Sequence, residues 1–133
     1  MSSKMLNGRS VVKGKVEAEA LVTAEPLSFM GSVNPKTGYV IERGHELEGQ
    51  CLKGRILVFP TAKGSTGGSY MLYDVVKNGV GPTGIINIEA DPVVVIGAIV
   101  AKLPAVDQVD ISQIKTGDRL VLDADAGTVE VVD

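Results

Sequence analysis

Arg55-Ile-Leu-Val-Phe-Pro60, followed by Thr61-Ala-Lys-Gly-Ser-Thr-Gly-Gly-Ser-Tyr70 and Met71-Leu-Tyr-Asp-Val-Val76, changes character twice in a short space. Arg55 to Phe59 is an apolar, β-branched run, and Pro60 ends it, which predicts a buried strand. Met71, Leu72, Val75 and Val76 repeat at helical spacing, so Thr66 to Asn78 is expected to be a helix. Gly79 supplies the left-handed residue that closes such a helix. The alternation then repeats. Gly84 to Ile88 reads as the next strand. Asp91-Pro92 reads as a helix start, with Asp91 as the cap and proline in the first turn. That second helix runs from Val93 through Ala101 and must stop before Pro104. It is apolar nearly all round, so it is expected to be central or covered by a partner.

Working outward, both flanks read as β structure. Ser10 to Thr23 alternates branched apolar and polar residues and breaks at Gly14, as a bent strand or a pair of strands would. Ala24 to Gly38 holds Pro26, Gly31, Asn34, Pro35 and Gly38, and is a long loop of the kind that carries function. A short strand is expected over Gly38 to Ile41. Arg119 to Leu122 and Thr128 to Val132 alternate about Ala126-Gly127 as a terminal hairpin. The whole predicts an α/β layered domain with a mixed sheet and a flanking β ribbon. It is read as one domain over residues 1–133, with residues 1–6 frayed.

Composition limits the function classes. With 44% hydrophobic and 22% charged residues, the chain is too apolar and too little charged to be disordered. A net charge of −3 and 4% aromatic residues give no basic face or stacking platform for nucleic acid. The longest apolar run, Val93 to Ala101, falls far short of the ~20 residues that cross a bilayer. No basic head precedes an apolar segment, so no signal peptide is expected. The single cysteine, Cys51, makes no internal disulfide and points to the cytoplasm. With one histidine, His45, it cannot build a zinc site or hold an iron–sulfur cluster. Any cluster the protein works with must be carried by another chain.

The chemistry gathers at Ala62 to Tyr70, between a strand and a helix. The first helical N–H groups have no internal partners and form the positive end of the helix dipole. Glycines let a ligand approach the backbone, Ser65, Thr66 and Ser69 add hydroxyls, and Lys63 adds a charge. A phosphate or carboxylate fits such a place. The segment is not a phosphate-binding Walker loop, because Lys63 precedes the glycines rather than following a four-residue spacer. On residue types alone, a turn whose serine or threonine merely caps the helix explains it equally well.

Lys63-Gly-Ser-Thr-Gly-Gly-Ser-Tyr70, with Gly54 to Pro60 before it and Ile88-Glu-Ala-Asp-Pro92 and Gly97-Ala-Ile-Val-Ala101 after it, resembles the aconitase X swivel domain. Pro26 to Pro35 fits the same family, and the likeness runs from about Gly14 to Ala105. It is greatest to the family's free-standing small subunits of archaeal type. The resemblance implies a swivelling β/β/α domain that works in the cytoplasm as a heterodimer with a large subunit. That large subunit would carry an iron–sulfur cluster, expected to be 4Fe-4S, and most of the active site. It implies a hydro-lyase dehydrating a hydroxy acid, for this subfamily (R)-5-phosphomevalonate to trans-anhydromevalonate 5-phosphate in isoprenoid synthesis. The chain lacks an attached large domain, which favours the two-subunit type. The family's serine base falls on Ser65. A serine hydroxyl needs help to act as a base, from helix N–H groups, Lys63 or a partner's charge. Lys63, Gly64, Thr66, Gly67, Gly68 and Ser69 would shape the anion pocket. A small subunit of a related hydroxyproline dehydratase and a non-catalytic anion-binding module are the competing readings.

Other residues read more plainly. His45, in Arg43-Gly-His-Glu46, is expected to be exposed or satisfied rather than a ligand. Cys51 beside Leu52 reads as a small core residue. Glu89 and Asp91 offer paired acids, yet Asp91 reads first as a cap. Asp123 and Asp125 flank a turn and read as turn formers before calcium ligands. Phe29 and Met30 are expected to form an exposed apolar contact.

Overall fold

The computed structural model describes residues 3–63 and 67–132. Its strands are β1 (Lys4–Asn7), β2 (Arg9–Val12), β3 (Lys15–Val22), β4 (Ile56–Phe59), β5 (Gly84–Asn87), β6 (Ala105–Asp107), β7 (Arg119–Asp123) and β8 (Thr128–Val132). The helices are α1 (Phe29–Ser32), a single irregular turn, α2 (Gly67–Lys77) and α3 (Pro92–Ala101). The strands join in one mixed sheet of order β1-β8-β7-β3-β4-β5-β6-β2.

β4 is buried along its whole length, and so is β5. A strand buried on both faces needs a layer above and a layer below. Leu57 and Phe59 face a core shared with Leu72, Val75, Val94 and Ala98 of the helices. Ile56 and Val58 face the opposite core, shared with Leu120, Leu122, Val129 and Val131 of the ribbon. The result is a β/β/α stack. β3, β4, β5 and β6 run parallel, with Ala20 opposite Ile56, Ile56 opposite Gly84 and Ile85 opposite Ala105. The ribbon is antiparallel throughout, with β7 on β3 and β8, and β1 on β8.

The expected mixed sheet, central strand–helix–strand–helix unit and terminal hairpin are all present. Gly14, at φ 141°, separates β2 from β3, and the two strands do not pair with each other. β2 closes the far edge against β6, held by Arg9, whose guanidinium donates to both oxygens of buried Asp107 at 2.9 and 2.7 Å. Two expectations change. Residues 4–6 are not frayed, because Lys4–Asn7 pair with β8 and bury Leu6. The strand expected over Gly38 to Ile41 is reduced to isolated bridges at Tyr39 and Val40. β6, at three residues, carried too short a pattern to be expected. Of the two places expected for α3, central or covered by a partner, the central one does not hold, because Val93, Val94, Gly97 and Ala98 face the core while Ile96, Ile99 and Val100 are exposed.

α2 crosses α3 closely, and two glycines permit it. A Cβ on Gly68 would lie 2.9 Å from Val93 Cγ1. One on Gly97 would lie 2.9 Å from Leu72 Cδ2 and 3.2 Å from the Ser69 carbonyl oxygen. Gly97→Val should therefore lower stability by about 1–3 kcal/mol through overpacking, despite improved helix propensity. Urea denaturation measures this; an unchanged midpoint would mean that the crossing is slack.

Candidate active site

The segment between β4 and α2 starts from a fixed point. The Pro60 carbonyl accepts from the N–H groups of Ile88 and Glu89, at 3.1 and 3.2 Å. Asn87 Nδ2 donates to the Phe59 carbonyl at 2.9 Å. Alongside runs the long 24–38 loop. Leu27 bridges to Ala62 in parallel, with Leu27 N–H donating to the Thr61 carbonyl at 3.2 Å and Lys63 N–H to the Leu27 carbonyl at 3.1 Å. Phe29 anchors this loop edge-on against Phe59, ring centroids 5.9 Å apart. Phe29 is thus core, 1% exposed, rather than part of an exposed contact, whereas its neighbour Met30 is 50% exposed.

Of the residues expected in the anion pocket, Gly64, Ser65 and Thr66 lie outside the described residues. Lys63 is half exposed at the start of the loop, its Nζ 3.4 Å from Glu42 Oε2. Gly67 opens α2. Gly68 packs on Val93 and Phe29, so its missing side chain serves the helix crossing. Ser69 is buried and its hydroxyl donates to the Val93 carbonyl at 2.8 Å. That commits its proton to the α2–α3 contact and takes it away from the role expected of it in the pocket.

Three residues the sequence did not single out belong to this place. The Ser32 hydroxyl donates to Glu42 Oε1, and Glu42 Oε2 faces Lys63. The Ser32 hydrogen bond, with Lys63 behind it, holds the Glu42 carboxyl below the ordinary carboxylate range. Asn87 is fully buried, and its Oδ1 has no partner. No local pattern marks Glu42, because its partners stand 10 and 21 residues away.

The remaining candidates are structural. His45 is buried, with Nε2 3.1 Å from the Pro26 carbonyl and Nδ1 accepting from Leu47 N–H at 3.0 Å. That pattern requires the neutral Nε2–H tautomer and pins the 42–50 segment to the long loop. Beside it, Glu46 Oε1 accepts from Thr23 Oγ1 at 2.6 Å and Ala24 N–H at 3.0 Å. Cys51 is half-buried at an isolated bridge to Tyr39 rather than in the core, where Leu52 lies instead. Asp91 caps α3 through Val94 N–H, Asp123 accepts from Ala126 N–H in its turn, and Asp125 accepts from Gly14 N–H. Glu89 is exposed. Among the described residues no three His, Cys, Asp or Glu side chains come together to hold a metal ion. An iron–sulfur cluster therefore finds no ligand set in them, and no step on this chain is derived through one. No described helix is long and apolar enough to cross a membrane.

Next to the site, the outer faces of α2 and α3 leave an apolar groove of about 350 Å³ lined by Ser69, Tyr70, Tyr73, Ile96 and Val100.

A β/β/α stack whose strand–loop–helix junction is strapped by a second long loop defines a swivel-type domain built to present that junction. The chain belongs to the aconitase X swivel domain family, whose profile matches residues 5–131. A phosphomevalonate dehydratase small subunit of Thermococcus gammatolerans is 49% identical over 128 residues, covering 96% of this chain and 98% of that one. Its counterpart in Methanosarcina acetivorans is 45% identical over 130 residues, covering 96% and 90%. A chain in the crystal structure of Thermococcus kodakaraensis aconitase X, holo-form, superposes with a TM-score of 0.96 at 47% identity, covering 98% and 99%.

Two predictions follow from the geometry. Ser69→Ala should cost about 1 kcal/mol, by removing the hydroxyl's bond to the Val93 carbonyl. Thermal melts check this; full stability would mean that the α2–α3 contact does not depend on that bond. For Glu46, the Thr23 hydroxyl first and the Ala24 N–H second hold the folded carboxyl below its ordinary value. Its stabilisation is therefore complete above the unfolded pKa of ~4.3 and lost as pH falls through the folded value. Glu46→Gln should melt below wild type at pH ~7, with the gap closing as pH falls below the unfolded pKa and through the folded one. A gap that does not change with pH would show that the hydrogen bonds are not charge-assisted.

Proposed function

We propose that this chain is the small subunit of a two-chain hydro-lyase that dehydrates (R)-5-phosphomevalonate to trans-anhydromevalonate 5-phosphate. The observation that carries this is near full-length identity of 42–49% to relatives named as that small subunit. The strand–loop–helix junction gives the reading its chemistry. The substrate is a 3-hydroxy acid, and loss of water needs a base at the carbon beside the carboxylate. Ser65 is that base: its ionised oxygen takes the C2 proton, the C–H pair forms the C2–C3 double bond, and the C3 hydroxyl departs with the C–O pair and takes up the proton that Ser65 removed, so that one water is lost and the serine returns to its starting state. Lys63, Gly64, Thr66 and Gly67 surround the reacting anion. The N–H groups at the start of α2 and the Lys63 ammonium favour negative charge on the serine oxygen. An iron–sulfur cluster held by the large subunit would supply the Lewis acidity that the leaving hydroxyl needs.

The partner is expected on the helix layer. Tyr70 is 75% exposed, and Ile96, Ile99 and Val100 are each more than half exposed. So much apolar surface beside the site fits a permanent contact, which buries roughly 1,200–2,000 Å² or more.

Ser65→Ala should leave complex formation intact and lower turnover on the order of 10²–10⁴-fold. Steady-state kinetics of the reconstituted pair on phosphomevalonate, beside thermal melts, test it. Near-normal turnover by Ser65→Ala refutes the base, and turnover by this chain alone refutes the division of labour. Stability loss of about 1 kcal/mol with an unchanged rate would make Ser65 a helix cap.

A further inference from the structure

Lys63 is the cation expected in the anion pocket, and it does not stand alone. Its ammonium lies 3.4 Å from one oxygen of Glu42, and the other oxygen of that carboxylate is taken by the Ser32 hydroxyl. Ser32 is 3% exposed and sits at the end of α1 on the strapping loop, where its carbonyl also accepts from Ile41 N–H at 2.7 Å. Val33 and Val40 bridge just behind. One end of the Glu42 carboxylate is thus held by a buried hydroxyl, and the other end faces the lysine. A lysine side chain has four rotatable carbons and no geometric preference of its own, so whatever holds its ammonium decides where the charge points.

We infer that Glu42 is a positioning residue for Lys63: it holds the Lys63 ammonium in place, with Ser32 fixing the orientation of the Glu42 carboxylate. This rests on the reading that Lys63 belongs to the anion pocket. It also gives the 24–38 loop a chemical task besides packing. The loop delivers Ser32, Ser32 sets Glu42, and Glu42 sets the charge two residues ahead of Ser65.

The test is a double-mutant cycle in the reconstituted two-chain enzyme, with Glu42→Gln, Lys63→Met and both together, and Glu42→Asp as the conservative variant. Misplacing a charged group by about an ångström costs on the order of 10²-fold. Glu42→Gln is therefore expected to lower kcat by about that factor with KM much less affected. Added to Lys63→Met it should lower turnover no further, and Glu42→Asp should recover part of the loss. Equal losses from Glu42→Gln in both backgrounds would overturn the inference, as would normal turnover by either single variant. A second measurement is independent of any reaction. Acetylation of Lys63 by acetic anhydride, read by mass spectrometry, should be faster in Glu42→Gln than in wild type, because the ammonium has lost its partner. Equal labelling overturns the inference even if the enzyme acts on some other hydroxy acid. Failure of the wild-type pair to dehydrate phosphomevalonate, with Lys63 still protected by Glu42, would fault the substrate and not the positioning.

Discussion

Strand β3 belongs to two pairing schemes at once, and the rest of the architecture hangs on that. Its first half, Lys15 to Glu19, pairs antiparallel with β7, while its second half, Ala20 to Val22, pairs parallel with β4. One continuous strand thus hands the sheet from the ribbon to the parallel core. It lets the ribbon fold back over one face of β4 and β5 while the helices take the other. Without that handover, Ile56, Val58, Ile86 and Val106 would lose the cover of Leu120, Leu122, Val129 and Val131. Each of these fully buried side chains is worth about 1.5–3 kcal/mol when shielded from water.

How far the fold could be read in advance depended on pattern length. The Arg55 to Ala101 unit was legible because each element carries enough residues to show its period and its caps: Pro60 after a strand, Gly79 after a helix, Asp91-Pro92 before one. The terminal hairpin was legible for the same reason. β1 and β6 were not: the four-residue β4 and β5 announce themselves as buried apolar runs, whereas β1 buries only Leu6 and β6 ends on a charged Asp107 after two apolar residues. Phe29 was misread because nothing local distinguishes an aromatic on a loop that packs on Phe59 from one that faces water.

The site was legible only in part, for a related reason. Glycines next to a helix start signal a close approach, but the sequence does not say what approaches. At Gly68 it is Val93 of the neighbouring helix. Ser69 likewise looks like a ligand-binding hydroxyl until α3 is seen to lie against it. Residues whose role comes from distant chain neighbours, Ser32 and Glu42 above all, leave no trace in spacing. Lys63 stood out by its place before the glycines, yet its partner became visible only once the strapping loop was in place.

The sheet ends in two short strands, β1 and β2, of four residues each. β2 is further distorted by a register shift between Ser10 and Val12 and guarded by Arg9, while β1 carries Lys4. Open sheet edges invite a second chain to add a strand, and brevity, bulges and charge all discourage it. Both borders of this molecule are therefore poor templates for strand addition. Its sticky surface lies elsewhere, on the helices, so association is channelled to the one layer where side chains rather than backbone make the contact. A protein made this way can expose an apolar face without offering the open sheet edge on which further strands would stack.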